Sequence, residues 1–93
     1  MVLQFAFTDK LKSILKKLRK KNPERVGIIY KKVHQIIETD EGTIEHYKNL
    51  RHGLSDRKRV HIDSSFVLTF HYDKSRKFIL FLDFDHHDNI YER

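Results

Sequence analysis

The chain has 93 residues, of which 39% are hydrophobic and 34% are charged. These values predict a single globular domain spanning residues 1–93 and exclude a disordered polypeptide. There is no cysteine, which excludes disulfides and thiolate metal ligands. No apolar stretch approaches the roughly 20 residues of a membrane helix, and the first residues lack the basic segment of a signal peptide. We therefore expect a cytoplasmic protein that does not contact a membrane.

The net charge of +6 is unevenly distributed along the chain. Residues 10–32 contain ten lysines or arginines and one acidic residue, and residues 48–59 contain five and one. Such asymmetry favours an anionic partner, either a nucleic acid or an acidic protein segment. The alternative for the first block is a lysine-rich helix face that only keeps the protein in solution.

The first half of the chain predicts a strand followed by two helices. Residues 2–7 alternate as a short strand does, and Thr8 is a helix cap. Asn22 and Pro23 are a second helix start, and residues 40–42 are expected to stop the second helix. The two helices form an antiparallel hairpin. Their apolar stripes, at helical spacing, are Leu11, Ile14, Leu15 and Leu18, then Val26, Ile29, Tyr30, Val33 and Ile37.

The second half of the chain predicts three strands. Residues 43–56 form a linker, anchored on the core by Ile44, Tyr47, Leu50 and Leu54. In the next strand Val60 and Ile62 share one face, which leaves Arg59 and His61 on the other. Residues 73–76 are a polar hairpin turn, and the strand 78–84 is apolar on both faces, which predicts a central position. The expected fold is α+β, in the order β-α-α-β-β-β, with a small antiparallel sheet and the helical hairpin on one face.

Histidines are concentrated at two places in the predicted sheet. His86 and His87 follow the last strand, and His61 lies beside Arg59 in an earlier one. Imidazole, with an ordinary pKa of about 6.5, exchanges protons near neutrality, and guanidinium matches the paired oxygens of a phosphate. This set in a basic chain suggests chemistry on a phosphodiester.

A metal site at His86 and His87, with the aspartates on either side, is the alternative interpretation. Adjacent residues that leave a strand point in opposite directions, and the chain has no His-x-x-x-His spacing. We therefore expect no metal site and no cofactor.

Short motifs along essentially the whole chain resemble those of the RelE/ParE superfamily of toxins, and within it the RelE and YafQ branches. The motifs are His52-Gly53-Leu54 in the linker, Arg59-Val60-His61-Ile62, the Ser-Phe-x-Leu-x-Phe pattern of residues 65–70, and the His-x-x-Ile-Tyr pattern of residues 87–91.

The resemblance implies roles for individual residues. His61 and His52 resemble the strand and linker histidines of the YafQ branch, while His87 and Tyr91 resemble its terminal histidine and the C-terminal tyrosine of RelE. Basic strand residues hold the phosphate in RelE. The expected catalytic set is His61, His87, His86, Arg59, Tyr91 and His52, and the expected RNA- or phosphate-binding set is Lys58, Arg57, Arg51, Lys16 and Lys20.

Two positions depart from the family pattern. Many relatives carry an arginine after the aromatic residue of the third strand, where this chain has Val67 after Phe66. The catalytic aspartate of the YafQ pattern corresponds to Asp63 or Ser65, and Asp63 alternatively serves as a turn residue. Without the arginine, Arg59 or Arg57 must supply the cation at the phosphate.

The resemblance implies a toxin of a toxin–antitoxin pair that acts as a ribosome-dependent mRNA endoribonuclease. Cleavage would proceed through the 2′-OH without metal, and an acidic, partly helical antitoxin would neutralise it. A ParE-like toxin that inhibits gyrase is the first alternative, which the imidazole set disfavours. A degenerate RNA-binding module, which Val67 leaves open, is the second.

Overall fold

A computed structural model describes residues 3–45, 47 and 57–91, without the side chains of residues 41 and 91. The element order confirms the expected β-α-α-β-β-β arrangement and adds two short helices. The elements are β1 (Gln4–Phe7), α1 (Asp9–Lys21), α2 (Pro23–Ile37), α3 (Glu41–Glu45), β2 (Lys58–Ile62), β3 (Phe66–Asp73), β4 (Phe78–His86) and α4 (His87–Tyr91).

The four strands form one sheet in the order β1-β4-β3-β2. Strands β2, β3 and β4 are antiparallel neighbours, and β1 runs parallel to β4 at the sheet edge. The parallel pair follows from the helical crossover, because a chain that returns through helices can place a later strand alongside the first in the same direction. β4 is therefore an inner strand, as its two apolar faces predict.

Both predicted helix starts are confirmed by capping hydrogen bonds. The Oγ1 of Thr8 accepts from the N–H of Leu11 at 3.1 Å, and the Oδ1 of Asn22 accepts from the N–H of Arg25 at 3.1 Å. Pro23 opens α2, where its missing N–H costs no helical hydrogen bond. Local sequence thus sets where each arm of the hairpin begins.

The expectation that residues 40–42 stop the second helix is wrong. Helix α2 ends earlier, at Ile37, and the Oδ1 of Asp40 accepts from the N–H of Thr43 at 2.9 Å. An aspartate in that geometry caps the start of a helix, and here it starts α3. Helix α3 places Ile44 fully inside the core, so this expected anchor is confirmed.

The hydrophobic core lies between the helical hairpin and one face of the sheet. Burial of these apolar side chains is the main stabilising term for a chain of this size. Among the described residues the core comprises Leu3, Leu11, Leu15, Ile29, Val33, Ile36, Ile37 and Ile44 with Ile62, Leu68, Phe70, Ile79, Phe81 and Phe84.

A bulge in β4 changes which of its residues face the core. Thr69 of β3 pairs with Asp83, but the next residue, Phe70, pairs with Phe81, so Leu82 is the extra residue of β4. One additional residue reverses the alternation of the strand beyond it. Without the bulge, Asp83 would share the core face of Phe81.

Candidate functional site

Two rows of paired residues cross the sheet on the face opposite the hairpin. Arg59 pairs with Thr69 and Thr69 with Asp83, while His61 pairs with Val67 and Val67 with Asp85. Directly paired residues of an antiparallel ladder place their side chains on the same face. The two rows therefore have basic groups on the edge strand β2 and carboxylates on the inner strand β4.

Helix α4 packs on this second face. Val67 is completely buried and Ile90 is 3% exposed, and together they form a small apolar cluster separate from the main core. Val67, at the position where the resemblance implies an arginine, thus supports the terminal helix. Because α4 begins with His87, the packing of Ile90 on Val67 also fixes the backbone position of that histidine.

His86 belongs to β4 and does not follow it, because the strand extends to residue 86. It pairs with Phe66, and the two rings meet edge to face with centroids 5.6 Å apart. The Nδ1 of His86 accepts the N–H of Asp88 at 3.2 Å. That bond satisfies a free donor of the first turn of α4, as an N-cap side chain does.

His87 opens α4, and its ring stacks on that of His86. The two ring centroids are 4.5 Å apart and the planes differ by 30°. The Nδ1 of His87 lies 2.9 Å from the Oδ1 of Asp88. The expectation that the adjacent rings diverge is wrong, because the strand ends between them and the backbone of His87 is helical.

His61 and the start of α4 lie on two sides of Val67. His61 is exposed on β2, and its row ends at Asp85, two residues before His87. Two strand spacings separate the ends of a row, roughly 10 Å between Cα atoms. Val67, between the two ends of the row, is covered by Ile90 of α4.

Arg59 and Lys58 do not face the same way. Arg59 shares the face of His61, whereas Lys58 pairs with the core residue Phe70. The Nζ of Lys58 donates to the backbone carbonyls of Glu45 and Tyr47, each at 3.2 Å. Lys58 thus links the end of α3 and Tyr47 to the sheet, on the face opposite to that of Arg59.

The other predicted residues are distributed over the molecule. Lys16 and Lys20 are exposed one turn apart on α1, and Arg57 is half-buried directly before β2. The described residues do not include Arg51 or His52, and the side chain of Tyr91 also lies outside them.

Asp63 is a turn residue. It lies between β2 and β3 with a φ of 57°, in the left-handed region, and its Oδ2 is 3.3 Å from the Nε of Arg25. The guanidinium carbon of Arg25 lies 4.2 Å from the ring centroid of Phe66. Such a cation–π contact contributes about 0.5–1 kcal/mol at an exposed site, so Asp63 and Arg25 together tie α2 to this turn.

The fold brings three acidic residues into the site region. Sequence reasoning considered Asp85 and Asp88 only as possible metal ligands and did not single out Asp83. Asp83 is 5% exposed, and its Oδ2 is 3.0 Å from the Nζ of Lys10. Asp85 accepts the side-chain amide of Asn89 at 3.0 Å, and Asp88 contacts both terminal histidines. In the sequence, Asp85 and Asp88 stand directly beside the two histidines, whereas no motif points to Asp83.

An apolar groove of about 240 Å³ opens between α1 and the ends of β3 and β4. Its aromatic floor is a stacked pair, Phe66 and Phe84, with ring centroids 5.2 Å apart and planes 9° apart. The groove is lined by Ile14, Lys17, Leu18, Lys21, Phe66, Phe84 and Asp85. Apolar walls with two ammonium groups suit a segment that is both hydrophobic and acidic.

None of the described helices is long and apolar enough to cross a membrane. No protein-family model matches the chain.

Known proteins nevertheless resemble this chain in sequence and in fold. It is 51% identical over 83 residues to the protein named toxin RelE4 of Methanocaldococcus jannaschii, covering 89% of this chain and 84% of that protein. It is 42% identical over 83 residues to an uncharacterized protein of Methanosarcina mazei, covering 89% of this chain and 92% of that protein.

Two solved structures share the fold at low sequence identity. The RelBE2 toxin–antitoxin complex of Mycobacterium tuberculosis matches with a TM-score of 0.73 at 17% identity, over 92% of each chain. A metal-bound toxin of Helicobacter pylori matches with a TM-score of 0.73 at 22% identity, over 95% of this chain and 98% of that one. Sequence and fold agree: this chain belongs to the RelE family, the toxin components of toxin–antitoxin systems.

Proposed function

We propose that this toxin is a ribosome-dependent mRNA endoribonuclease held inactive by an acidic, partly helical antitoxin in the cytoplasm. One observation carries the proposal. His61 and Arg59 lie on the sheet face that α4 covers, and α4 begins with a second histidine, His87. We propose that these two imidazoles and this guanidinium act on one phosphodiester, because they are the groups that metal-independent RNA cleavage requires.

The proposed reaction is an intramolecular displacement at phosphorus. One of His61 and His87 removes the proton of the ribose 2′-OH, and the 2′-oxygen attacks the adjacent phosphorus. The bond to the 5′-oxygen breaks, and the other imidazole protonates that leaving oxygen. The products are a 2′,3′-cyclic phosphate and a 5′-hydroxyl. Each positioned acid or base typically contributes about 10²–10⁴-fold.

Arg59 is proposed to stabilise the phosphorane, because its guanidinium can donate two parallel hydrogen bonds to phosphate oxygens. Arg57 precedes it by two residues and is the second candidate for this role. His86 is proposed to position rather than react, since its Nδ1 already accepts the amide of Asp88. This division of roles favours His87 as the terminal catalytic histidine. Tyr91, at the end of α4, is proposed to stack on an unpaired base.

The basic surface of α1 supports a ribosomal partner. Lys16 and Lys20 are exposed one turn apart, and among the described residues neither takes part in an ion pair. Contacts from such lysines to ribosomal RNA phosphates would weaken steeply with salt. Arg51 is proposed to contact the RNA from the linker. His52, also in the linker, is proposed to take part in cleavage, as its resemblance to the linker histidine of the YafQ branch implies.

The groove beside α1 supports the antitoxin. The similar M. tuberculosis toxin is solved as a complex with its antitoxin, and the groove of this chain combines aromatic walls with Lys17 and Lys21. Reversing both charges, Lys17→Glu with Lys21→Glu, should weaken binding of the acidic partner. Titration calorimetry at two salt concentrations measures it, and Lys31→Glu with Lys12→Glu is the charge-matched control. Equal losses in both pairs would count against this groove.

The nuclease proposal is tested with purified ribosomes programmed with a defined mRNA. His61→Ala and His87→Ala should each lower the cleavage rate by about 10²-fold or more, and primer extension should map the cuts of the unaltered toxin to the ribosomal A site. His34→Ala is the control, because His34 is exposed on α2. Full activity in the His87→Ala protein, with its fold intact by circular dichroism, would remove that residue from the mechanism.

The same toxin, added to a DNA gyrase supercoiling assay, distinguishes a gyrase toxin from a nuclease. Inhibited DNA supercoiling with no mRNA cuts would replace the proposal with a ParE-like activity. If the protein binds RNA but neither cuts mRNA nor inhibits gyrase, it is the degenerate RNA-binding module.

A further inference from the structure

The start of α4 gathers three side chains that can coordinate a metal ion. Ligand atoms of His86, His87 and Asp88 all lie within 4.8 Å of one another. The Nδ1 of His86 is 3.5 Å from the Oδ2 of Asp88, and the Nδ1 of His87 is 2.9 Å from its Oδ1. Two ligands held about 2.1 Å from a tetrahedral metal are roughly 3.4 Å apart. The observed distances lie on either side of that value.

The sequence order explains why three consecutive residues can converge. His86 is the last residue of β4 and His87 the first of α4, so the backbone turns between them and stacks the rings at 4.5 Å. The edge-on contact with Phe66 fixes the His86 ring. The three side chains remain accessible to an ion, with exposed fractions of 38%, 38% and 63%.

From this geometry we infer that His86, His87 and Asp88 bind one divalent ion of the borderline class, Zn²⁺, Ni²⁺ or Cu²⁺. Two neutral imidazoles and one carboxylate are the donors these ions prefer, whereas Mg²⁺ prefers oxygen ligands. Three protein ligands leave at least one coordination position for water. Coordination through the Nδ1 of His86 would replace the hydrogen bond it now accepts from the N–H of Asp88.

The binding test uses untagged full-length protein and Zn²⁺ in titration calorimetry at neutral pH. His86→Asn retains a capping side chain for α4 but lacks the imidazole, and His87→Gln removes the second ring. Each should weaken Zn²⁺ binding by roughly 10- to 100-fold, because loss of even an outer partner of a metal ligand has an effect of that size. Mg²⁺ in excess should not compete.

His34→Ala is the matched control, because the Nδ1 of His34 lies 3.4 Å from the Oε1 of Glu38 without a second imidazole. The chain has seven histidines, so background binding must be subtracted in this way. Cu²⁺ provides a second readout, since its paramagnetism should broaden the ring signals of His86 and His87 before those of His34. Equal Zn²⁺ affinity in the unaltered, His86→Asn and His87→Gln proteins would overturn the site.

A functional consequence rests on the proposed nuclease. If His87 transfers a proton during cleavage, a bound Zn²⁺ occupies that imidazole and should inhibit cutting, reversibly with chelator. Calorimetry and cleavage then separate the two proposals. Zn²⁺ that binds at these residues without inhibiting would count against catalysis by His87 and leave the metal site in place.

Discussion

Ile90→Ala should weaken the attachment of the terminal helix while leaving the main core folded. Of the described side chains of α4, Ile90 alone is buried, and it packs on Val67. The change removes three buried carbon groups, at about 0.8 kcal/mol each, so the packed state of the helix should lose about 2.4 kcal/mol. A five-residue helix has no stability of its own in water. The detached population should therefore rise by roughly 50-fold.

Amide hydrogen exchange measured by NMR is the assay for this detachment. In the variant, protection at the amides of α4, including that of residue 90, should fall by the same factor. Protection at Ile79 and Phe81 in β4 should stay within about twofold, because local opening leaves the core intact. Ile28→Ala makes the same chemical change at a residue that is 42% exposed and should alter neither. Unchanged protection across α4 in the Ile90→Ala protein would refute the view that this cluster holds the helix.

Three further results are expected. Val67→Arg should lower the free energy of unfolding, measured in urea, by about 1–3 kcal/mol, because this completely buried site has no room for a longer side chain. An unchanged free energy of unfolding would show that the residues around Val67 can move apart to admit the arginine. Thr8→Ala should cost about 1 kcal/mol through loss of the helix cap, measured against a Ser replacement that retains the hydroxyl. The Ser75 hydroxyl and the Arg76 N–H hold the pKa of Asp73 below 3.8, so this carboxylate stabilises the turn above its unfolded pKa and less so as pH falls through the folded value. An NMR titration that places it at 3.8 or higher would contradict this.

Much of the fold was predictable because it depends on short-range chemistry. Thr8 and Asn22 cap their helices through contacts three residues away, which a sequence displays directly. The apolar faces of residues 78–84 predicted an inner strand, since only a covered strand can bury both faces. The predicted helix end at residues 40–42 was wrong for an equally local reason, because Asp40, three residues after the end of α2, caps a new helix.

The site was less predictable, because it depends on relations between distant segments. The resemblance pointed to His61, Arg59 and His87, and the strand alternation correctly placed Arg59 and His61 on one face. The resemblance also predicted a phosphate contact for Lys58. In the structure the Nζ of Lys58 instead donates to the backbone carbonyls of Glu45 and Tyr47. Adjacent residues on a strand face opposite sides, so Arg59 and Lys58 could not both face the same phosphate.

The sequence by itself determined the four strands, the two long helices and their starts, the inner strand and the family, since each depends on periodicity, on capping or on motif residues. Only the tertiary structure decided how the strands register. The extra residue Leu82 reverses the alternation of β4 and so assigns Asp83 and Asp85 to the face opposite the core. Only the strand-to-helix junction stacks His86 on His87. A register and a backbone turn depend on packing between segments far apart in the chain, and no local pattern records them.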